Sequence, residues 1–471
     1  MKPAARLVSS LLIAALALSC NLDEAVAPDS ALSLHKSGDG GGNPDCRLGG
    51  RARGGGPYDF LCAIEIPGDP ITSSQKGWVE QTNGKYFLSD ASNFGVDVVD
   101  IRTHTYVGRV SGMAGNAATG GGTATTNGPG PNSFVSAPRR RGHGHDDDDD
   151  DRGHRNNRVL FVSDGNSTVH VVDMDGLQII ASISTAMPAC DDGTATGKYC
   201  GRTNEIAYDP VHHIVLVQNP APLTVAAPHV NADPYATFIS AKYPYRVLGH
   251  ITFPAAVTGN LEGHIWVPAL NRFLMPVQPN AASGATRGSM YIAVINARTR
   301  QIEDKRVYFC PEIPGTIPTS TGNNNLQLAP GGNLWAQMCG RPIRIDVRSG
   351  AIKNVITEVG TGDQDWYNPG DGNFYVTGTA PPAPAVGGVA SLGVMNGRTG
   401  AFLQAVPNIG GASPTAYAKT NEIFTRVTFS AATDATSRCV VKGRGCVVVF
   451  AHTGTGDDDN DDEDDDEQEG R

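Results

Sequence analysis

The sequence predicts an all-β fold, a closed ring of about seven similar four-stranded units, on three observations. Strand-like runs rich in Val, Ile, Phe and Tyr recur with a period of roughly 40 to 60 residues, and Gly, Asn and Asp interrupt them. Gly is abundant, at 57 of 471 residues, and charged residues are sparse, at 18%. No sustained helical period follows residue 20. We therefore expect many short strands joined by turns.

The two clearest copies of the repeat lie at residues 85–110 and 158–183. Each copy has an apolar strand that ends in Ser-Asp, a turn, a strand that ends in Val-Val-Asp, a second turn and a closing strand. A further strand precedes each later copy, as at residues 205–210, 263–268 and 326–330. Four strands per unit, repeated around an axis, are the blades of a β-propeller.

Weaker copies of the repeat complete the ring, at residues 214–253, 272–309, 334–356 and 373–406. The seventh unit has strands at 421–430, 438–441 and 446–451 but no fourth strand, and the strand at 58–66 belongs to no unit. A seven-bladed β-propeller closes if this N-terminal strand lies antiparallel to 446–451 as the outer strand of the last blade. Closure would remove the open sheet edges that favour aggregation. An eight-bladed ring and an irregular pair of sandwiches remain as alternatives.

The two clear copies, with FLSD and VDVVD at 87–100 and FVSD and VHVVD at 161–173, resemble the YVTN-type repeats of bacterial extracytoplasmic propellers. The resemblance implies a propeller located outside the cytoplasm. It implies little about function, because propellers serve binding, scaffolding and several chemistries.

The first 20 residues are typical of a lipoprotein signal peptide. Two basic residues precede an apolar run at 7–18, which is too short to span a bilayer. The run ends in Leu-Ala-Leu-Ser-Cys, which resembles the bacterial lipobox in which Cys20 is acylated, and Asn21 resembles a signal for the outer membrane. Ordinary cleavage that discards Cys20 is the alternative. We therefore expect a protein that is lipid-anchored to the outer membrane or cell surface, or periplasmic or secreted.

Composition divides the rest of the chain into a flexible tether at 21–55, the propeller at 56–453 with low-complexity inserts at 112–132 and 138–157, and an acidic disordered tail at 454–471. The tail carries nearly all of the net charge of −11. No basic surface for nucleic acid is expected on the nearly neutral body. We expect a monomer that contacts the membrane only through its lipid and binds a protein or a small molecule.

Nine cysteines are present, and eight remain once Cys20 is set aside. An even number in an exported chain predicts disulfides, with buried free thiols as the alternative. The eight form four local pairs, Cys46/Cys62, Cys190/Cys200, Cys310/Cys339 and Cys439/Cys446. We expect the last pair to bridge two adjacent strands of blade seven, and the pair of Cys190 and Cys200 to fix the loop that enters blade three.

Polar residues stand where the inner strands begin, and these starts should meet near one mouth of the channel. The candidate ring consists of Glu205, Glu262, Asn325, Asp365 and Glu422. Carboxylates and amides suit Ca²⁺ or another divalent cation, and a water-filled channel is the alternative. In residue type the ring resembles the calcium-centred gluconolactonase propellers. That resemblance implies a metal-dependent hydrolase or lactonase, with His264 as the candidate general base.

A second candidate metal site lies in the insert at 138–157, where His143 and His145 precede six Asp residues and His154 follows them. Imidazole and carboxylate groups bind metals, which would suit periplasmic metal buffering or delivery, and a solvated linker is the alternative. No Gly-x-Ser-x-Gly elbow, P-loop or zincin motif is present. We expect Trp266, Trp335 and Trp366 to pack within the blades. The leading interpretation is an exported binding or scaffold propeller, and catalysis remains open.

Overall fold

The computed structural model describes residues 46, 57–114, 130–139, 158–187, 201–220, 233–280, 289–317, 325–360, 362, 364–380, 389–407, 412–431 and 437–452. Regular structure in these ranges is almost wholly β, and a short 3-10 turn lies at Cys310–Glu312. No helix in these ranges is long and apolar enough to cross a membrane. The predicted signal peptide and tail, the predicted tether apart from Cys46, and most of both inserts lie outside the described residues.

The strands form seven small antiparallel sheets. The first strand, Tyr58–Glu65 (β1), belongs to the last sheet. Blade one contains Gly77–Glu80 (β2), Lys85–Asp90 (β3), Gly95–Asp100 (β4) and Thr105–Ser111 (β5). Blade two contains Phe134–Pro138 (β6), Arg158–Asp164 (β7), Thr168–Asp173 (β8) and Gln178–Ser184 (β9). Blade three contains Ile206–Asp209 (β10), Ile214–Asn219 (β11), Tyr235–Ser240 (β12) and Val247–Thr252 (β13).

The remaining four blades follow the same order. Blade four contains Thr258–Leu261 (β14), Ile265–Val267 (β15), Arg272–Pro279 (β16), Ser289–Asn296 (β17) and Gln301–Phe309 (β18), with β14 and β15 both paired to β16. Blade five contains Leu326–Ala329 (β19), Asn333–Met338 (β20), Arg341–Asp346 (β21) and Ile352–Val355 (β22). Blade six contains Asp365–Asn368 (β23), Asn373–Ala380 (β24), Val389–Asn396 (β25) and Phe402–Pro407 (β26). Blade seven contains Ala412–Tyr417 (β27), Glu422–Val427 (β28) and Cys446–His452 (β29), completed by β1.

The inner strands of the blades make a closed ring. Each of them contacts the inner strand of the next blade, in the order β2, β6, β10, β15, β19, β23 and β27, and β27 contacts β2 again. The predicted seven-bladed propeller is therefore confirmed, and the alternatives of eight blades or paired sandwiches are wrong. The low-complexity insert at 138–157 stands between β6 and β7, the first two strands of blade two.

Blade seven closes the ring as predicted at its outer edge but not at its inner one. β1 pairs antiparallel with β29, with Tyr58 opposite His452 and Glu65 opposite Cys446. The inner strand is β27, which the sequence analysis missed, and 438–441 is not a strand. The sequence of β27, Ala-Ser-Pro-Thr-Ala-Tyr, has little of the β-branched content that marks a strand. Its proline is tolerated because β27 is the edge strand of its sheet.

The apolar core lies between neighbouring blades. One cluster joins Phe87 and Val98 of blade one to Phe134 and Leu160 of blade two, and each of the four is at most 2% exposed. Comparable clusters occur at the other blade interfaces. At about 25 cal/mol per Å² of buried apolar surface, these inter-blade faces supply the main drive to assemble the ring.

Three of the predicted disulfides lie within the described residues, and all three are formed. They are Cys46–Cys62, Cys310–Cys339 and Cys439–Cys446. Cys439 precedes β29 in a loop, so its disulfide ties this loop to the strand and does not bridge two strands as expected. Disulfides are typical of proteins in oxidising, extracytoplasmic compartments, which agrees with the predicted export.

The fourth predicted disulfide is not among these three. Cys190 lies outside the described residues, and Cys200 also lies outside them, directly before the described range that begins at residue 201. The predicted bond between Cys190 and Cys200 is therefore not confirmed and stays a prediction. The same holds for its expected role in fixing the loop that enters blade three.

Candidate functional site

A cavity of about 420 Å³ lies within the ring of inner strands. Every blade contributes to its wall through its inner strand or the residues next to that strand. The wall includes Lys76 and Glu205, which directly precede β2 and β10, and Pro210, which directly follows β10. Small-molecule sites in proteins typically have volumes of roughly 300–1,000 Å³. The channel is therefore large enough to hold a small ligand.

An ion pair stands at the start of the inner strands. The Lys76 ammonium contacts Oε2 of Glu205, and the Ser133 hydroxyl donates to the same oxygen at 3.2 Å. The two charged side chains are 13% and 8% exposed, so screening by water is limited. Sequence analysis found Glu205 but missed Lys76. Its position in the repeat could have identified Lys76, because Lys76 directly precedes the inner strand β2 as Glu205 directly precedes the inner strand β10.

Asp365 and Asn325 lie together in the cavity wall, as the sequence predicted. The Asn325 amide donates to Oδ1 of Asp365 at 2.6 Å, and the Gln337 side chain is a second hydrogen-bonding neighbour of the carboxyl. Burial raises the pKa of Asp365 to about 8, while Lys76 and Asn325 act in the opposite direction. The carboxyl is therefore mostly protonated at neutral pH.

His264 also lines the cavity, where its ring is fully buried. Its Nε2 donates to the carbonyl oxygen of Leu216 at 2.9 Å. Burial lowers the pKa of His264 to about 4, so the imidazole is neutral at physiological pH. A general base with so low a proton affinity abstracts a proton weakly at neutral pH.

Two members of the predicted ring lie elsewhere. Glu262 is absent from the cavity wall and accepts hydrogen bonds from Asn260 at 2.5 Å and Gln278 at 3.1 Å. Glu422 begins β28, the second strand of its blade, and lies 3.0 Å from Nε2 of His104. Successive strands are antiparallel, so the start of a second strand lies at the end of the blade opposite the starts of the inner strands. The error follows from the missed inner strand.

Glu205, Asn325 and Asp365 thus share the cavity, while Glu262 and Glu422 do not. Among the described residues, no three His, Cys, Asp or Glu side chains are grouped as metal ligands are. The Lys76 ammonium supplies positive charge beside Glu205. A divalent cation in the channel stays a prediction. The candidate ligands His143, His145 and His154 lie outside the described residues.

Trp266 and Trp366 pack against the apolar clusters between blades, as expected, and they also line the channel. Three of the four tryptophans line the channel in all. They are Trp78, Trp266 and Trp366. The rings of Trp78 and Trp366 meet edge to face, with centroids 5.5 Å apart. Trp335 packs within the blades as predicted and is not part of the channel wall. Its ring is stacked on Phe374 at 4.4 Å, and its N–H donates to the carbonyl of Gly397. The sequence shows that Trp266 and Trp366 belong to inner strands, but it does not show that their side chains face the channel.

Blade two contains a Ser-His-Asp cluster outside the channel. His170 lies 2.8 Å from the Ser182 hydroxyl through Nδ1 and 3.0 Å from Asp164 through Nε2. His170 and Ser182 face each other on the third and fourth strands of blade two. The facing positions in blades one and three also hold polar pairs, Asp97 with Arg109 and Thr237 with His250. A polar pair at one register position of three consecutive blades indicates a structural brace, not a nucleophile.

The comparisons with known proteins give no family. No protein-family model and no curated protein match the sequence. Among solved structures, a chain in the crystal structure of the Mitotic Checkpoint Complex is similar at 8% identity, with a TM-score of 0.48. The alignment covers 85% of this chain and 95% of that chain. A likeness of this size carries no conclusion about function.

Proposed function

We propose that this protein is an exported binding module that takes a small molecule into its central channel. The observation that carries the proposal is the cavity, to which all seven blades contribute. Its wall combines aromatic rings with a few buried polar groups, which is the usual composition of a small-molecule site. The rigid ring around it would keep these groups in place and lower the entropic cost of binding.

The proposal includes a location. The three disulfides support an oxidising compartment. The lipobox-like sequence before Cys20 supports a lipid anchor, with residues 21–55 as the tether between membrane and propeller. Mass spectrometry of the mature N-terminus tests this directly. Acylated Cys20 supports the anchor, and an N-terminus beyond residue 20 contradicts it.

Binding in the channel can be tested with a larger side chain that occupies part of the cavity. Gln327 lines the cavity and is half-buried, so Gln327→Phe should occupy ligand space. A library of small molecules is titrated against the wild-type protein by calorimetry, and each ligand found is then tested on the variant. We expect the affinity to fall at least tenfold. Leu403→Phe is the matched control, because Leu403 is 52% exposed on β26, away from the channel.

A hydrolase at the same site has less support from the geometry. His264 would have to act as a base, yet its pKa is low and its Nε2 already donates to a backbone carbonyl. Clear turnover of lactones or esters that is lost in Glu205→Ala would replace the binding proposal. Turnover retained in Glu205→Ala would place the activity elsewhere.

A further inference from the structure

The turns between the third and fourth strands of several blades repeat one short motif. At residues 100–103, 296–299, 346–349 and 396–399, an Asp or Asn ends the third strand, an Arg follows two residues later, and a Thr or Ser comes next. In each turn, Oδ1 of the Asp or Asn accepts a hydrogen bond from the backbone N–H of the Arg, at 2.9–3.1 Å. The turn therefore fixes the backbone, and all four arginines are exposed.

The turn arginine of blade one is paired with a carboxylate, whereas those of blades four to six are not. Arg102 lies 3.4 Å from Asp100 of its own turn. Within the described residues, six arginines of blades four to six have no carboxylate at ion-pair distance. They are Arg298, Arg300, Arg306, Arg344, Arg348 and Arg398. We call these six side chains the cationic rim.

Positive charge exceeds negative charge along this rim. Residues 296–306, 344–350 and 396–400 contain seven Arg and Lys against three Asp and Glu. Two of these three carboxylates are already paired with other cations, Arg272 and Lys353. The body of the protein is nearly neutral as a whole, so the excess is local to this surface and attracts an acidic partner.

Contacts between neighbouring blades join the arginines into one surface. Arg306 of blade four donates to the backbone carbonyls of Val347 at 2.7 Å and Arg348 at 3.1 Å in blade five. Arg344 of blade five donates to the backbone carbonyl of Arg398 in blade six. Because these acceptors are uncharged, they do not neutralise the two guanidinium groups. A partner with several acidic groups in series can therefore contact several arginines at once.

The acidic segment at 454–471 begins at the same end of the ring. Every blade has the same strand order, and successive strands are antiparallel, so the third strands of all blades end at one face. In blade seven the third strand is β29, which ends at His452. Blade seven adjoins blade six, where Gln404 contacts Tyr58. The segment, with eleven Asp and Glu, therefore starts beside the blade that carries Arg398.

We propose that residues 454–471 dock on the cationic rim of their own chain. Arginine binds carboxylates through a planar fork of N–H groups, which suits both members of this pair. An extended chain of this length spans at most about 60 Å, whereas neighbouring sheets pack about 10 Å apart, so the segment can reach blades six, five and four. A single exposed ion pair contributes little, but linkage to the ring gives the segment an effective concentration of about millimolar. The segment then shields the rim, and any other polyanion must displace it.

Photo-cross-linking in the full-length protein tests the docking directly. Asn460 and Gln468 are uncharged positions within the acidic segment, so benzoylphenylalanine in place of either leaves its charge unchanged. After irradiation and proteolysis, mass spectrometry identifies the residues that are cross-linked. We expect products on the turns at 296–300, 346–350 and 396–400, with a yield that falls about fivefold or more between about 20 mM and about 500 mM NaCl.

Two triple variants separate the rim from the net charge. The rim variant carries Arg298→Gln, Arg348→Gln and Arg398→Gln. The control variant loses three exposed charges from the loop before β29, at the opposite end of blade seven, through Arg438→Gln, Lys442→Gln and Arg444→Gln. We expect the yield of cross-linking to fall about fivefold or more in the rim variant and less than about twofold in the control. Melting curves show whether each variant is folded.

Heparin, as an anionic probe, distinguishes an external partner from the acidic segment. Cross-links that lie away from the three turns, or equal yields in the two triple variants, overturn the proposal. If no cross-links form, while heparin binds the full-length protein and not the rim variant, the rim serves an external polyanion and the segment is not its partner. Neither result bears on binding in the channel, which lies apart from these turns.

Discussion

Buried charged side chains within single blades brace neighbouring strands. In blade one, Arg109 contacts Asp90 at 3.0 Å and Asp97 at 2.7 Å, and both carboxylates are fully buried. In blade two, His170 and Ser182 occupy the facing positions. Blades built on one backbone plan therefore use different side-chain chemistry at one register position.

The brace in blade one should be the stronger of the two. Arg109→Ala leaves two buried carboxyl groups without their cation and should lower the free energy of unfolding by about 3–5 kcal/mol. Ser182→Ala removes one neutral hydrogen bond at an exposed position and should cost about 1 kcal/mol or less. Urea unfolding of both variants measures the difference. Similar losses would contradict the assignment of Arg109 as the principal brace.

Asp365 should make stability depend on pH. Its folded pKa of about 8 lies above the ordinary value of 3.8, so the unfolded chain ionises first as the pH rises. Stability is therefore lost progressively between about pH 4 and pH 8, and Asp365→Asn should remove this loss. We expect the variant to be roughly 2–5 kcal/mol more stable than the wild type at pH 8 and nearly equal at pH 4.

Lys76, Glu205 and Asn325 act on Asp365 directly, so they must stay unchanged in this comparison. Asp304→Asn, on an exposed position of β18, is the control and should alter stability little at either pH. Thermal unfolding at both pH values measures the effect. A variant less stable than the wild type at pH 8 would show that the buried carboxyl is ionised and stabilising.

At the scale of strands and turns, disulfides join segments that are close in sequence but differ in span. Cys310 follows β18 in blade four, and Cys339 follows β20 in blade five, so this bond links two blades across 29 residues. Cys439–Cys446 spans seven residues within blade seven. A longer closed loop restricts the unfolded chain more strongly.

Removing the inter-blade disulfide should therefore cost more stability. The double substitution of Cys310 and Cys339 by serine should lower the free energy of unfolding by about 3.5 kcal/mol, against about 2.5 kcal/mol for Cys439 and Cys446. Denaturant melts of the two double variants provide the comparison. The reverse order would mean that native packing, and not loop closure, determines the effect.

The closed ring depends on the contact between its first and last strands, β1 and β29. β1 pairs with β29 and also contacts blade six, because the Tyr58 N–H donates to Gln404 at 2.7 Å and Gln404 donates to the Tyr58 carbonyl at 2.8 Å. The hydroxyls of Tyr58 and Tyr375 both donate to Asp371. The N-terminal strand is therefore part of the ring and joins its last two blades.

Truncation that starts the chain at residue 67 should open this closure. It removes the buried side chains of β1 and exposes the edge of β29, so we expect a large fall in melting temperature with aggregation. Deleting 455–471 alone is the control, because this acidic segment should bury no apolar surface. Calorimetry and light scattering compare the two. Equal melting temperatures would contradict the role of β1.

Local sequence was enough to predict the repeat, the blade count and the closing strand, because strand periodicity and turn residues are local signals. Lys85–Asp90 and Arg158–Asp164 carry them clearly. The inner strand of blade seven, Ala412–Tyr417, lacked these signals because it is poor in β-branched residues. The sequence analysis therefore took the second strand for the inner one and wrongly placed Glu422 at the channel.

Cysteine pairing was predictable for a similar reason, because each pair is close in sequence. The prediction is confirmed for the three pairs that lie within the described residues. For Cys190 and Cys200, which lie outside them, sequence proximity is still the only support.

The sequence by itself determined that this chain forms a disulfide-bonded ring of blades, because hydrophobic periodicity and cysteine spacing do not depend on distant contacts. Only the tertiary structure decided which side chains line the channel together. Lys76 and Glu205 are 129 residues apart, and Trp78 and Trp366 are farther apart still. Such pairs meet because the ring closes, and the inward direction of each side chain depends on the register and twist of its own strand.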